Sequence, residues 1–284
     1  MCATCGCSSG QPIVTDPARP GLASDHDHEA HDHDHEHHDH EHHGHEHSGP
    51  GAQEHHDHAS AASRTLVIEQ EILAKNDLLA ARNRGWFEGR AILAVNLMSS
   101  PGSGKTTLLE RTIRDLDGQM ELSVVEGDQE TLLDAERIRS TGCKVVQINT
   151  GQGCHLDADM LARGLRVLEP ASRSVVLIEN VGNLVCPALF DLGERSRVVI
   201  MSCTEGDDKP LKYPHMFRSA EMMLVNKVDL LPYVNFDVER CVTYARQINP
   251  KLDVLEVSAT RGDGLDRWYD WLRTNLGSTT PTSS

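Results

Sequence analysis

Ile92-Leu93-Ala94-Val95-Asn96-Leu97-Met98-Ser99-Ser100-Pro101-Gly102-Ser103-Gly104-Lys105-Thr106-Thr107 decides the fold. An aliphatic run, Ile92–Met98, feeds a Gly/Ser turn that opens into a helical Thr107–Leu116. Strand, glycine-rich loop, helix is the context of a P-loop, in which backbone N–H groups and a helix N-terminus cradle phosphates. Gly102, Ser103, Gly104 and Thr107 form the expected cradle, Lys105 reaches the β and γ oxygens, and Thr106 ligates Mg²⁺. Ser99 stands where the pattern has its first glycine, so the turn there tolerates positive φ less well.

Further along, short aliphatic runs alternate with helical stretches: Leu122–Glu126, Val145–Ile148, Val175–Glu179, Val198–Ser202, Met222–Asn226 and Val254–Ser258. Each is bounded by Gly, Asn, Asp or Pro. The alternation predicts an α/β domain whose mostly parallel sheet is flanked by helices and buried on both faces. Upstream, Leu66, Ile72, Leu73 and Leu79 recur at helical spacing and predict an amphipathic helix running to about Arg84.

Asn226-Lys227-Val228-Asp229 follows one of these strands. A carboxylate at Asp229 can accept both the N1–H and the N2–H of guanine, a pair adenine does not offer. Asn226 and Lys227 brace that pocket, and Ser258-Ala259 suits the loop that reaches the guanine O6 through backbone N–H. The pattern favours GTP over ATP. Glu179-Asn180-Val181-Gly182 offers a carboxylate that can hold Mg²⁺ through water and a glycine that can sense the γ-phosphate. Asp128, after another strand, can contact Mg²⁺ or the attacking water. For Glu179 and Asp128 a solvated strand-end carboxylate is the alternative.

Gly153-Cys154-His155 and Val185-Cys186-Pro187 also leave the carboxyl ends of strands, the edge where open α/β sheets bind ligands. Two thiolates and an imidazole suit zinc or nickel with a position left open. From the residues alone, two small buried cysteines and a helix-start histidine are an equal reading. Cys143, Cys203 and Cys241 lack a neighbouring ligand and read as core residues.

The chain has 284 residues and a net charge of −16, distributed unevenly. Residues 1–63 contain 12 acids and one base, Arg19, so the remaining 221 residues are only mildly acidic. An acidic domain without a basic stripe argues against nucleic acid and anionic membranes as partners. No apolar run is long enough to span a bilayer and Met1–Gly10 has no signal-peptide profile, so a soluble cytoplasmic protein is expected. Between Ser24 and His58 lie 15 histidines and 11 acids with no apolar residue larger than alanine. Such a tract cannot offset its ordering entropy and is expected to be disordered. Its histidines interleaved with carboxylates point to binding of divalent metal, though composition does not choose which. At the start, Cys2, Cys5 and Cys7 put three thiolates within six residues. If Met1 is removed, the freed amine of Cys2 is a fourth ligand and the set suits square-planar Ni(II), with tetrahedral zinc open as well. A redox Cys-x-x-Cys is disfavoured because no thioredoxin-like unit follows. The expected organisation is a metal motif and linker over 1–23, the His-rich tract and linker over 24–63, and the GTPase domain over 64–284.

Taken together, Cys2–Cys7, Ser99–Thr106, Glu126-Gly127-Asp128, Gly153–Asp157, Glu179–Cys186, Thr204–Pro210 and Asn226–Asp229 resemble the HypB family. These are hydrogenase nickel-incorporation GTPases of the SIMIBI class, and the resemblance covers residues 1–7 and 64–284. It implies a cytoplasmic protein that forms a homodimer on binding GTP, works with the nickel chaperone HypA and supplies nickel to the [NiFe]-hydrogenase large subunit. It further implies a tight nickel site at Cys2, Cys5 and Cys7 and a labile nickel or zinc site at Cys154, His155 and Cys186. The family shares a serine at the position of Ser99. A passive metal store and a signalling GTPase are the rival classes. Intact Lys105, Thr106 and Asp229 speak against the first, and the Cys-His-Cys set against the second. The N-terminal cysteines separate the chain from urease-type maturation GTPases.

Overall fold

The computed structural model describes residues 13–15, 58–128, 133–151 and 153–279. Eight strands form a single sheet among these residues. They are β1 (Ile13–Thr15), β2 (Leu93–Ser99), β3 (Leu122–Asp128), β4 (Lys144–Asn149), β5 (Val175–Glu179), β6 (Ser196–Ser202), β7 (Met222–Asn226) and β8 (Asp253–Glu256). Helices α1 (His58–Gly89), α2 (Lys105–Asp115), α3 (Leu133–Arg139), α4 (Ala158–Leu168) and α5 (Cys186–Leu189) lie in the first part of the chain. They are followed by α6 (Lys209–Lys212), α7 (Pro214–Ser219), a 3-10 turn (Val228–Tyr233), α8 (Val238–Ile248) and α9 (Leu265–Ser278). The strand order is β1-β4-β3-β5-β2-β6-β7-β8. Strands β2 to β8 pair in parallel, and β1 adds antiparallel to the β4 edge.

The aliphatic runs become strands because both faces of the sheet are covered. Leu93, Val95 and Leu97 of β2 pack with Leu108 and Leu109 of α2 and Trp268 and Leu272 of α9. On the opposite face Ala94 joins Phe87 of α1 and Leu161 and Leu165 of α4. Met98 turns to the same face further along and meets Phe217 of α7 and Cys241 and Ala245 of α8. Cys203 and Cys241 are buried free thiols, and Cys143 is half-buried at the sheet's lower edge. Among the described residues no helix is long and apolar enough to cross a membrane.

Three segments differ from the sequence expectation. The linker expected within residues 1–23 contains β1, because Ile13-Val14-Thr15 is a short β-favouring run beside an open sheet edge. Helix α1 starts at His58, inside the segment expected as tract and linker, because Ala59, Ala61 and Ala62 are strong helix formers. It also runs past Arg84 to Gly89, which lets Phe87 reach the core. The last strand stops at Glu256 rather than Ser258. Val257 still donates to Val225 O, but Ser258 turns away to bond Asp263 O.

Candidate nucleotide and metal sites

The P-loop joins β2 to α2 at the carboxyl edge of the sheet. Gly104 has φ +90°, and a Cβ on it would stand 2.6 Å from Asn226 Nδ2, so conformation and space both require glycine there. Ser99 is the last residue of β2 and is not left-handed, so the missing glycine costs the turn nothing. Residues 99–107 line a cleft of about 560 Å³ together with Asp128, Glu179, Gly182 and Lys227. The expected phosphate-side residues therefore share one cavity.

Glu179 ends β5, 2% exposed, and its Oε1 accepts from Lys105 Nζ at 3.0 Å and Thr106 Oγ1 at 2.8 Å. Its Oε2 is buried without a hydrogen-bond partner. Glu126, in the same cleft, has an orphaned Oε2 as well. Burial, reinforced by the charges of Glu179 and Asp128, pushes the Glu126 carboxyl up to about 9. Orphaned carboxylate oxygens beside a threonine hydroxyl are the hard donor set of a Mg²⁺ site. Gly182 lies against the P-loop, where a Cβ would come within 3.2 Å of the Pro101 backbone.

The base-side motif is fastened to the same loop. Asn226 Nδ2 donates to Ser103 O at 3.0 Å and Lys227 Nζ to Gly102 O at 2.7 Å. Ala259 N donates to Asn226 Oδ1 at 3.1 Å, and Ser258 Oγ to Asp229 Oδ1 at 2.6 Å. Asp229 is half-buried, and its carboxylate is held by a serine that is itself fully buried.

Cys154 and His155 follow β4, and Cys186 opens α5. The two Sγ atoms are 2.9 Å apart, and Cys154 Sγ lies 3.7 Å from His155 Nδ1. The sulfurs are not joined in a disulfide, their separation exceeding the ~2.05 Å of an S–S bond. One ligand atom from each residue falls within 4.8 Å of the others, the span of bonds of about 2.0–2.3 Å to a common ion. Burial lowers the His155 pKa, which favours the neutral imidazole that ligates metal. Its ring stacks on Phe190, centroids 3.9 Å apart, which fixes the plane in which it can bind. Thr150 steadies the loop by accepting from Gly153 N at 2.9 Å and donating to Gly153 O at 2.7 Å. Cys2, Cys5, Cys7 and the His-rich tract up to residue 57 lie outside the described residues.

The family model for the CobW/HypB/UreG nucleotide-binding domain matches residues 93–256. Hydrogenase maturation factor HypB of Escherichia coli (strain K12) is 46% identical over 293 residues, covering 96% of this chain and 99% of its own. The chain belongs to the HypB family of hydrogenase maturation factors. HypB of Azotobacter vinelandii is 54% identical over 230 residues, which cover 81% of this chain and 76% of that one. Among solved structures, HypB of Archaeoglobus fulgidus superposes with a TM-score of 0.68 at 43% identity, over 72% of this chain and all of that one. HypB of Helicobacter pylori, solved in complex with nickel, also gives 0.68, at 36% identity over 74% of this chain and 99% of that one.

In this member of the HypB family three site features were not singled out from sequence. Glu126 was given no role of its own, and its place in the Glu126-Gly127-Asp128 motif was the available signal. Arg137 of α3 reaches the cleft and is held by Glu110 at 3.0 Å and Asp134 at 3.1 Å, an arrangement no local motif encodes. Lys209 crosses to Ser100 Oγ at 2.7 Å and pairs with Glu205, which ties the loop after β6 to the P-loop. Its position in the Thr204–Pro210 motif was the available signal.

Proposed function

We propose that the chain is a GTP-hydrolysing nickel metallochaperone that stores nickel and delivers it to the [NiFe]-hydrogenase large subunit. Gly102 through Thr107 bind the phosphates. Asn226, Lys227, Asp229, Ser258 and Ala259 hold guanine. Thr106, Glu179 and Asp128 are the residues that would hold Mg²⁺, which when bound neutralises charge on the phosphate oxygens. Lys105 neutralises the same oxygens from its own side, Asp128 orients the attacking water, and Gly182 registers the γ-phosphate through its backbone. Hydrolysis converts GTP and water to GDP and phosphate.

Cys154, His155 and Cys186 hold the ion that is passed on, as nickel or zinc, while Cys2, Cys5 and Cys7 keep a second, tighter site. The His-rich tract supplies storage. GTP brings two copies together, with HypA as the nickel-exchanging partner. The nickel complex of the Helicobacter pylori relative supports the choice of metal.

The observation that carries this reading is the continuity of one short segment. Glu179 contacts Lys105 and Thr106, Val181 and Gly182 line the cleft, and Cys186 touches Cys154. A γ-phosphate that reorders Glu179–Gly182 therefore moves a metal ligand. Equilibrium dialysis of nickel and of zinc, with GDP and with a non-hydrolysable GTP analogue, tests it. Affinity that differs between the two states is expected, and equal affinity for both metals in both states overturns gated transfer in favour of passive storage.

A further inference from the structure

Asn180 is completely buried at the end of β5. Its Oδ1 accepts two backbone N–H groups, from Val181 at 3.0 Å and from Leu156 at 3.2 Å. Val181 lines the nucleotide cleft, and Leu156 follows His155 directly. Its Nδ2 donates to Asn96 Oδ1 at 3.3 Å in the central strand β2. Asn96, also fully buried, donates in turn to Glu194 Oε1 at 3.1 Å, and Arg197 Nε donates to the same oxygen. The amide cannot rotate without turning a donor toward Leu156 N and an acceptor toward Asn96 Oδ1.

From this geometry we infer that Asn180 is a positioning residue that transmits the state of the nucleotide cleft to the loop carrying Cys154 and His155. The inference rests on the metal-transfer reading above and names the atom through which that coupling passes. The chain from Gly182 to Cys186 reaches one metal ligand only. The Asn180 carboxamide reaches the other two by a non-covalent route. When Val181 shifts, Oδ1 either follows it, drawing on Leu156 N, or gives up one of two buried hydrogen bonds. Leu156 is fully buried and has little freedom to find a substitute partner. Its side chain fills the space beside Gly127, where a Cβ would stand 2.7 Å from Leu156 Cγ. The residue after His155 is therefore held between the ends of β3 and β5, both of which border the cleft. An element with two discrete arrangements biased from both sites is what coupling requires.

The test uses the full-length chain with Cys2→Ser, Cys5→Ser and Cys7→Ser, titrated with Ni(II) and followed by its thiolate-to-metal absorption. The His-rich tract has no thiol, and among the described residues Cys143, Cys203 and Cys241 belong to no cluster of metal ligands, so that band reports Cys154 and Cys186. The ratio of nickel affinities between GDP and a non-hydrolysable GTP analogue is the readout, expected at roughly 5–150-fold in this background. Asn180→Ala should bring the ratio close to one. Asn180→Asp, which keeps the oxygen acceptor, should retain most of it. A background ratio of one overturns the transfer reading itself, whereas an undiminished ratio in Asn180→Ala overturns only the role of Asn180. Should the alanine variant fail to fold, hydrogen exchange in the unsubstituted protein decides. The Leu156 and Val181 amides should change protection together between nucleotide states, and independent behaviour overturns the inference.

Discussion

Cys154 Sγ and Cys186 Sγ lie 2.9 Å apart although 32 residues separate them in the chain. The intervening residues form α4 and β5, so the approach of the two sulfurs is set by the packing of a whole βα unit. A thiol pair of this kind is held by the scaffold in advance of any ion. Cys186→Ala should accordingly remove nickel binding from this site while unfolding free energy changes by about 1 kcal/mol, since one small buried group is lost. Denaturant titration beside metal titration checks this. A collapse of stability without metal would make Cys186 a structural residue.

Glu126 predicts a pH dependence. Its carboxyl is raised from 4.5 to about 9, so between those values the folded protein keeps a proton that the unfolded chain releases. Stability is then fully present below the unfolded value and falls as pH rises, by up to about 1.4 kcal/mol per unit from this group alone. Glu126→Gln mimics the protonated form. It should be near-neutral at pH 5 and stabilising by a few kcal/mol at pH 8, measured without nucleotide or Mg²⁺. Parallel stability curves for the two proteins would show that Glu126 is ionised in the fold.

Base selection should depend on Asp229. Asp229→Asn removes the acceptor that Ser258 already orients and presents a donor to the guanine N–H groups, weakening GTP by about 3 kcal/mol or more. Xanthosine triphosphate, whose C2 oxygen accepts that donor, should bind the variant better than GTP does. Competition between the two nucleotides reads this out, and unchanged GTP affinity would remove Asp229 from the base pocket.

Deleting residues 24–57 should remove most bound nickel equivalents and leave GTP hydrolysis at the parent rate. Among the described residues the cleft is built from residue 99 onward, and the cut falls before α1. Loss of hydrolysis in the deletion would make the tract part of the folded machine.

Much of this architecture was legible because its signals are contiguous. The phosphate loop, the Asn226–Asp229 turn and seven of the strands are each written in a handful of adjacent residues whose flanks declare their context. The convergence of Cys154, His155 and Cys186 could be read only as far as a shared sheet edge, because side-chain distances depend on packing between α4, α5 and the strands. Arg137 reaches the cleft and Lys209 reaches Ser100 of the P-loop from separate elements, and the Asn180–Leu156 bond joins residues 24 apart. Such pairings leave no periodic or local trace. Strand β1 was hidden for a different reason: three residues beside Pro12 and Pro17 carry too little pattern, and only the open edge of β4 makes them a strand.

That edge strand also constrains the first cysteines. Because β1 runs antiparallel to β4, Ile13 sits beside Asn149, at the end from which the loop bearing Cys154 departs. Cys7 precedes Ile13 by six residues, a tether of about 20 Å at full stretch. On the metal-transfer reading, an ion still held by Cys2, Cys5 and Cys7 travels with that tether, so the motif meets the Cys154, His155 and Cys186 site at an effective concentration in the millimolar range. Passage between the two is then a matter of a leash length rather than of diffusion through the cell.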